Sequence, residues 1–383
     1  MRRLMRNSMP TRPLNAVLTG QRLPALDGLR GLAVMLVLGW HFGIEVPGGL
    51  AVTALFVLSG FVITWLLLAE HDAAGSVSLP AFYVRRGLRI FPAYYVFLVF
   101  SLGTDWIRGD TRSTPAIVPA FTYSMNYFNA LHGHPSSSIG HAWSLGVEQQ
   151  FYIVWPLAFV ALAAYGSRVL AGGLAFAIAG VAAWRSFAYL SLGLGSAYAW
   201  NAFDCRFDGL AAGCLLAVAS RSVPFRSAME TCARMAGNAG LIAAVALLPV
   251  IDGAGGRYRY SVGLTIEALL IAFAIAQLLI LHTQMPWRAL DSSVMRYLGR
   301  VSYGIYLYHP WGLGVGHRVA GSSRWSEAAV GLAVSVVFAT VSHYAIERPF
   351  LSLKTRFSRR PVASAAPAPA PERPQPLIAV PTT

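Results

Sequence analysis

Long apolar stretches alternate with short polar segments that carry most of the arginines, from residue 29 to residue 346. The apolar runs fall at about 29–45, 50–69, 91–107, 143–164, 169–190, 204–220, 238–252, 262–282, 299–316 and 327–346. A helix rising 1.5 Å per residue needs about 20 apolar residues to cross a hydrocarbon core. The pattern therefore predicts an all-α, polytopic membrane protein of about ten transmembrane helices. AIVPAFTYSMNYF, residues 116–128, is apolar enough for an eleventh, but charge argues against it. With ten spans and the N-terminus inside, Lys and Arg divide as 22 cytoplasmic, 6 external and 2 within spans (Arg185 and Arg206). An extra crossing would nearly equalise the two sides, so the positive-inside rule favours ten spans, both termini cytoplasmic and 108–141 as an external loop.

Composition sharpens this picture. The 383 residues are 56% hydrophobic and 12% charged, with a mean hydropathy of +0.54; a soluble chain carries about a quarter charged residues. The lipid bilayer is thus the first partner. The net charge of +14 sits in short inter-span segments and the tails, which fits membrane orientation and gives no footprint for nucleic acid. Three cysteines, Cys205, Cys214 and Cys232, lack CxxC spacing or a histidine at ligand distance, so neither a disulfide framework nor a metal site is expected. The first apolar run lacks a cleavage site and contains His41, so no cleavable signal peptide is expected. Residues 1–21 read as a basic cytoplasmic tail, 22–351 as an integral membrane domain, and 352–383 as a Pro/Ala-rich, disordered cytoplasmic tail. No soluble catalytic domain is expected at either end.

Ionisable side chains inside such spans are costly and mark function by default. LDGLRGLAVMLVLGWHFG (26–43) holds Arg30 and His41 eleven residues apart, about 16 Å along a helix and within about 20° of one face. A snorkelling arginine with a satisfied core histidine is the bland alternative. HAWSLGVEQQFYIVWP (141–156) puts His141 and Glu148 two turns apart and Ser144 four residues from Glu148. If the helix enters from outside, Glu148 sits at the depth of His41 and is a candidate to orient its imidazole, although a structural ion pair reads equally well. FYVRRGLRIFPAYY (82–95) is expected as an internal loop whose Arg86 and Arg89 face one anion bidentately. FDCRFDGLAAG (203–213) brings Asp204, Arg206 and Asp208 together, where they would largely neutralise one another. Ser302 and His309 lie two turns apart in the ninth run, whereas Glu267 and His343 read as structural.

Taken in order, LDGLRG with Arg30-x10-His41, FVLSGF (56–61), RRGLRIFPAYY (85–95), HAWSLGVEQQFY (141–152), RFDGLAAG (206–213), GRVSYGIYLYH (299–309) and ERPF (347–350) resemble the acyltransferase-3 family of integral membrane O-acyltransferases. The resemblance covers roughly residues 22–351. It implies transfer of an acyl group, usually acetyl from acetyl-CoA, to a hydroxyl of a cell-envelope polysaccharide, glycolipid or secreted small molecule, in the bacterial cytoplasmic membrane. It also implies that Arg30 and His41 are an essential pair, that Arg86 and Arg89 help hold the acyl-CoA, and that Glu148 and the HAWSL helix belong to the same region. On this reading the arginines grip the CoA phosphates and the pantetheine arm runs along the Arg30–His41 stripe. His41 then acts as general base or, less simply, as an acyl carrier, with Glu148 orienting it. Three departures stand out. Thr53 occupies a second-span place where the family often has an acid, Leu55 stands for a Phe, and Gln149 follows Glu148 where a second acid is common. Some relatives carry an added esterase-like domain, so this chain is expected to act alone or recruit a partner. A transporter or flippase using the intramembrane charges, and an inactive scaffold for glycan assembly, are the alternatives from other classes.

Overall fold

The computed structural model describes residues 14, 18, 23–320, 323–353 and 357. These residues form helices and connecting turns, with no strand among them. The expected tails at 1–21 and 352–383 lie almost wholly outside the described residues.

Among the described residues six helices are long and apolar enough to cross a bilayer: Gly48–Ala74, Leu79–Ile107, Gly140–Ala163, Ser167–Leu190, Gly256–Leu281 and Arg324–Leu353. Val223–Ala236 and Asn238–Asp252 make a seventh if the pair, bent by 96°, is one span. These seven overlap seven of the ten expected runs. The other three runs are also helical, as Pro24–His41, Phe203–Ala219 and Ser293–Val319. They are shorter or more polar because they carry Arg30 and His41, Arg206 and Asp208, and His309. Residues 116–128 hold no helix long enough to cross: Ile117–Phe121 and Met125–His132 are 5 and 8 residues long.

The helices that position the site are α1 (Pro24–His41), α2 (Gly48–Ala74), α3 (Leu79–Ile107), α4 (Trp143–Ala163), α5 (Phe203–Ala219), α6 (Leu264–Leu281) and α7 (Ser293–Val319). Pro24 opens α1, where its missing N–H costs nothing, and Gly75 ends α2 in the left-handed conformation at φ 67°. One boundary differs from expectation in a useful way. The RRGLR segment is not a loop but the first turns of α3, which runs on through Pro92. Arg86 and Arg89 are therefore held on a helix rather than on a loop.

Glycines set how closely the helices approach. A Cβ on Gly31 would press on the Met295 carbonyl, and one on Gly299 would overlap the Asp27 carbonyl, so α1 and α7 cross nearly backbone to backbone. Gly60 and Gly213 do the same for α2 against α5. Small residues at the crossing are the usual route to tight packing where lipid offers no hydrophobic drive. The α1–α7 crossing places the Arg30–His41 stripe against Ser302, Tyr306 and His309, which recur at i, i+4 and i+7 on α7.

Candidate active site

Two cavities share this bundle, and Val52 and Tyr306 line both. The first, of about 120 Å³, is walled by Arg30, Arg86, Arg89, Glu148, Tyr152 and Ser302, among others. The second, of about 620 Å³, is walled by His41, His141, His309, Trp200, Asp252 and Arg259, among others. The α1 stripe joins them: Arg30 and Val34 face the first, Val37 and His41 the second.

In the arginine cavity three guanidiniums face one carboxylate. Arg30 has a long ion pair with Asp27 at 3.6 Å. Arg86 stacks over Phe82 and Tyr152, at 5.9 and 5.3 Å from their ring centres. Among the described residues neither Arg86 nor Arg89 has an ion-pairing or hydrogen-bonding partner. Glu148 accepts hydrogen bonds from Ser59 Oγ at 2.7 Å and Tyr152 Oη at 3.2 Å. The cavity thus carries surplus positive charge on rigid helices, a fit for phosphate oxygens.

The expected His41–Glu148 pair does not form. The two side chains line different cavities and share no hydrogen bond or ion pair. The 3-10 turn at Gly140–Ala142 breaks the helical register that the two-turn spacing assumed, so His141 faces the histidine cavity while Glu148 joins the arginines. Ser302 and His309 likewise divide between the two cavities.

The histidine cavity fixes its tautomers by geometry. His41 Nδ1 lies 2.8 Å from the Val37 carbonyl, and His309 Nδ1 lies 2.7 Å from the Tyr306 carbonyl. A carbonyl can only accept, so each Nδ1 carries the proton and each neutral ring leaves Nε2 as a bare lone pair. The His41 and His309 rings lie 4.6 Å apart, and those of His309 and His141 4.7 Å apart. Among the described residues no group of three or more His, Cys, Asp or Glu is arranged to hold a metal ion.

Tyr306 stands at the junction. Its hydroxyl donates to the His141 carbonyl at 2.7 Å, so it accepts from Ser144 Oγ at 2.6 Å. The chain Ser144 to Tyr306 to the His141 backbone ties α4 to α7 where the cavities meet.

The acidic residues near α5 are paired differently from expectation. Asp208 binds Arg185 at 2.7 Å and Thr265 at 2.5 Å, not Arg206. Arg185 also donates to the Ser261 and Cys205 carbonyls and to Thr265, which makes a closed, buried network. Asp204 accepts from Tyr127, Trp184 and Tyr198. Arg206, 2% exposed, bonds only Thr53 Oγ1 at 3.1 Å, and its Nε and Nη1 have no partner among the described residues. It is sandwiched near Trp200 and Phe56, at 4.4 and 5.3 Å from their ring centres. His343 pairs with Glu347 at 3.3 Å, and among the described residues buried Glu267 has neither oxygen bonded.

Sequence reasoning passed over several lining residues. Ser59, Tyr152 and Tyr306 lie inside the quoted motifs, and the i, i+4, i+7 spacing of Ser302, Tyr306 and His309 was a usable signal. Asp252 and Arg259 pair at 2.6 Å at the cavity rim from opposite ends of a turn. Nothing in the sequence announces that pair.

Apolar helices long enough to cross a bilayer, enclosing a cation-lined cavity joined to a histidine-lined one, mark a multi-pass membrane protein. The family comparison makes this specific. The family model described as "Acyltransferase domain" matches residues 23–344, and the chain belongs to that acyltransferase-3 family. It is 29% identical over 315 residues to the peptidoglycan O-acetyltransferase OatA of Listeria monocytogenes, covering 75% of this chain and 49% of the relative. A Staphylococcus aureus strain COL protein, provisionally named an O-acetyltransferase, is 27% identical over 349 residues, 86% of this chain and 57% of that protein. Bacillus subtilis YrhL, provisionally named a peptidoglycan O-acetyltransferase, is 29% identical over 373 residues, 88% of this chain and 56% of the relative. The chain thus spans about half the length of the curated relatives it matches. No solved structure matches it.

Proposed function

We propose that the chain is a membrane O-acyltransferase that moves an acyl group, acetyl in the simplest case, from acyl-CoA to a hydroxyl of a cell-envelope carbohydrate. A cytoplasmic-membrane location and ten crossings with cytoplasmic termini accompany this reading; charge bias supports the topology. The observation that carries it is the junction at Tyr306, where a phosphate-compatible cavity meets one holding an imidazole with a free Nε2. The names of the relatives support acetyl transfer to a peptidoglycan-type acceptor.

In this scheme Arg30, Arg86 and Arg89 hold the CoA phosphates, and the thioester reaches past Tyr306 towards His41. The lone pair on His41 Nε2 takes the proton from the acceptor hydroxyl as its oxygen bonds the acyl carbon. The carbonyl electrons move to oxygen and return as the C–S bond breaks. The CoA thiolate then takes the proton from the His41 imidazolium, giving an ester and free CoA thiol. Glu148 belongs to the donor side, where it faces the guanidiniums across the cavity, and not to the base.

The test is purified protein in proteoliposomes with labelled acetyl-CoA and a β-1,4-linked N-acetylglucosamine tetrasaccharide as acceptor. Label in an ester on the sugar, with equal release of CoA thiol, is expected. Transport of the sugar without thiol release would overturn the reading in favour of a carrier.

A further inference from the structure

Of the four imidazoles in the histidine cavity, His134 is held on both ring nitrogens by Asn129 and Asn201, and His141 is the one with no hydrogen bond. It is 8% exposed, and neither ring nitrogen has a partner among the described residues. Buried polar groups are nearly always partnered, so an orphaned imidazole facing a cavity calls for a ligand. The ring is not loose. Its backbone is pinned because the Tyr306 hydroxyl donates to the His141 carbonyl at 2.7 Å, and Asn129 Nδ2 donates to the Gly140 carbonyl at 2.9 Å. Phe97, Tyr306 and His309 wall the ring, at 5.5, 5.3 and 4.7 Å between ring centres.

The tautomers of its neighbours decide what His141 can offer. Neutral His41 and His309 have both spent their only N–H on backbone carbonyls. Each can accept at Nε2 but cannot donate. A neutral imidazole always carries one N–H. In this cluster the one without a well-formed hydrogen bond belongs to His141, whose ring lies beside the Ser138, Tyr306 and Leu307 backbone.

Acyl transfer needs both functions within a few ångströms: a lone pair for the hydroxyl proton and a donor for the negative charge that builds on the carbonyl oxygen. We propose that His141 supplies that donor, its ring N–H bonding the acyl carbonyl oxygen as His41 Nε2 takes the proton. This inference rests on the acyltransferase reading above. It adds a second catalytic residue with a role distinct from that of the base. The proton of His141 is shared with the oxyanion and not transferred, so the atom balance of the reaction is unchanged.

The experiment compares wild type, His141→Leu and His141→Gln, with His41→Ala as control. Acetyl-CoA is the donor, and either water or the N-acetylglucosamine tetrasaccharide is the acceptor. kcat, donor KM and the thermal midpoint in detergent are read for each. Leucine should lower kcat about 10²–10³-fold with donor KM unchanged. Its midpoint should hold or rise, because the ring makes no hydrogen bond in the resting protein. Glutamine, which keeps an N–H, should recover part of the loss. The proposal is overturned if leucine leaves kcat at the wild-type value, if glutamine is as slow as leucine, or if the midpoint falls with the rate. When His41→Ala is impaired and His141→Leu is not, the acyltransferase reading stands and only this inference fails. Wild type that releases no CoA thiol overturns both.

Discussion

His41 and His309 stand 4.6 Å apart, ring centre to ring centre, and each has its Nδ1 proton tied to a carbonyl of its own helix. Two bare Nε2 atoms therefore share one cavity, and neither ring is oriented by a carboxylate. The helix backbone does the orienting instead, through Val37 for His41 and Tyr306 for His309.

Because the one hydrogen bond of His41 is to its own helix, His41→Ala should leave the thermal midpoint within about 1 °C while lowering kcat by about 10²–10⁴-fold. The base must be neutral to act. Wild-type kcat/KM should therefore fall as pH drops through the histidine titration, and that acid limb should vanish from the residual activity of the variant. A pH–rate series on both proteins checks this. A retained limb in the alanine variant would move the base elsewhere.

Glu148 makes a contrasting prediction. A carboxylate that oriented His41 would shift the acid limb when neutralised. The geometry puts it among Arg30, Arg86 and Arg89 instead, where Glu148→Gln keeps an acceptor for Ser59 and Tyr152 but removes the opposing charge. CoA should bind more tightly, by a factor of about 5–10 for roughly 1 kcal/mol of relieved repulsion. The acid limb should stay in place. Calorimetric titration with CoA, beside the pH series, separates the two roles.

Arg86 and Arg89 should show the donor side directly. Lysine keeps the charge but loses the planar fork, and lysine at both positions should raise donor KM about tenfold with a smaller effect on kcat. Donor KM in wild type should also climb with salt, since an arginine that is partly exposed is screened. Equal donor KM in the double variant would sink the proposed clamp.

Much of this site was legible because its residues lie on regular helices. The Arg30–His41 stripe follows from 3.6 residues per turn, and α1 keeps that register to His41. The His141–Glu148 relationship was lost because its helix starts with a 3-10 turn, which no apolar period announces. Partner choice was the other blind spot. Asp208 reaches Arg185 from another helix rather than its near neighbour Arg206, and a contact across 23 residues depends on packing. The three polar helices, Pro24–His41, Phe203–Ala219 and Ser293–Val319, were found by motif and pattern although hydropathy alone undersells them. Arg259 and Asp252, brought together by a turn, had no signal at all.

Thr53 offers the last test, on stability. Arg206 is buried with two N–H groups unpartnered among the described residues, and its one hydrogen bond is to Thr53. Stacking beside Trp200 and Phe56 offsets part of the cost of a desolvated cation, but no carboxylate compensates it within hydrogen-bond distance. Thr53→Asp places an acid beside the guanidinium that Thr53 already bonds through Nη2. It should raise the thermal midpoint in detergent, while Thr53→Val removes the remaining acceptor and should cost about 1–3 kcal/mol. Thr53→Asp in an Arg206→Met background should lose the gain and destabilise, because the new charge then has no partner. If aspartate lowers the midpoint in both backgrounds equally, Arg206 already has its compensation from the rings and the pairing argument fails.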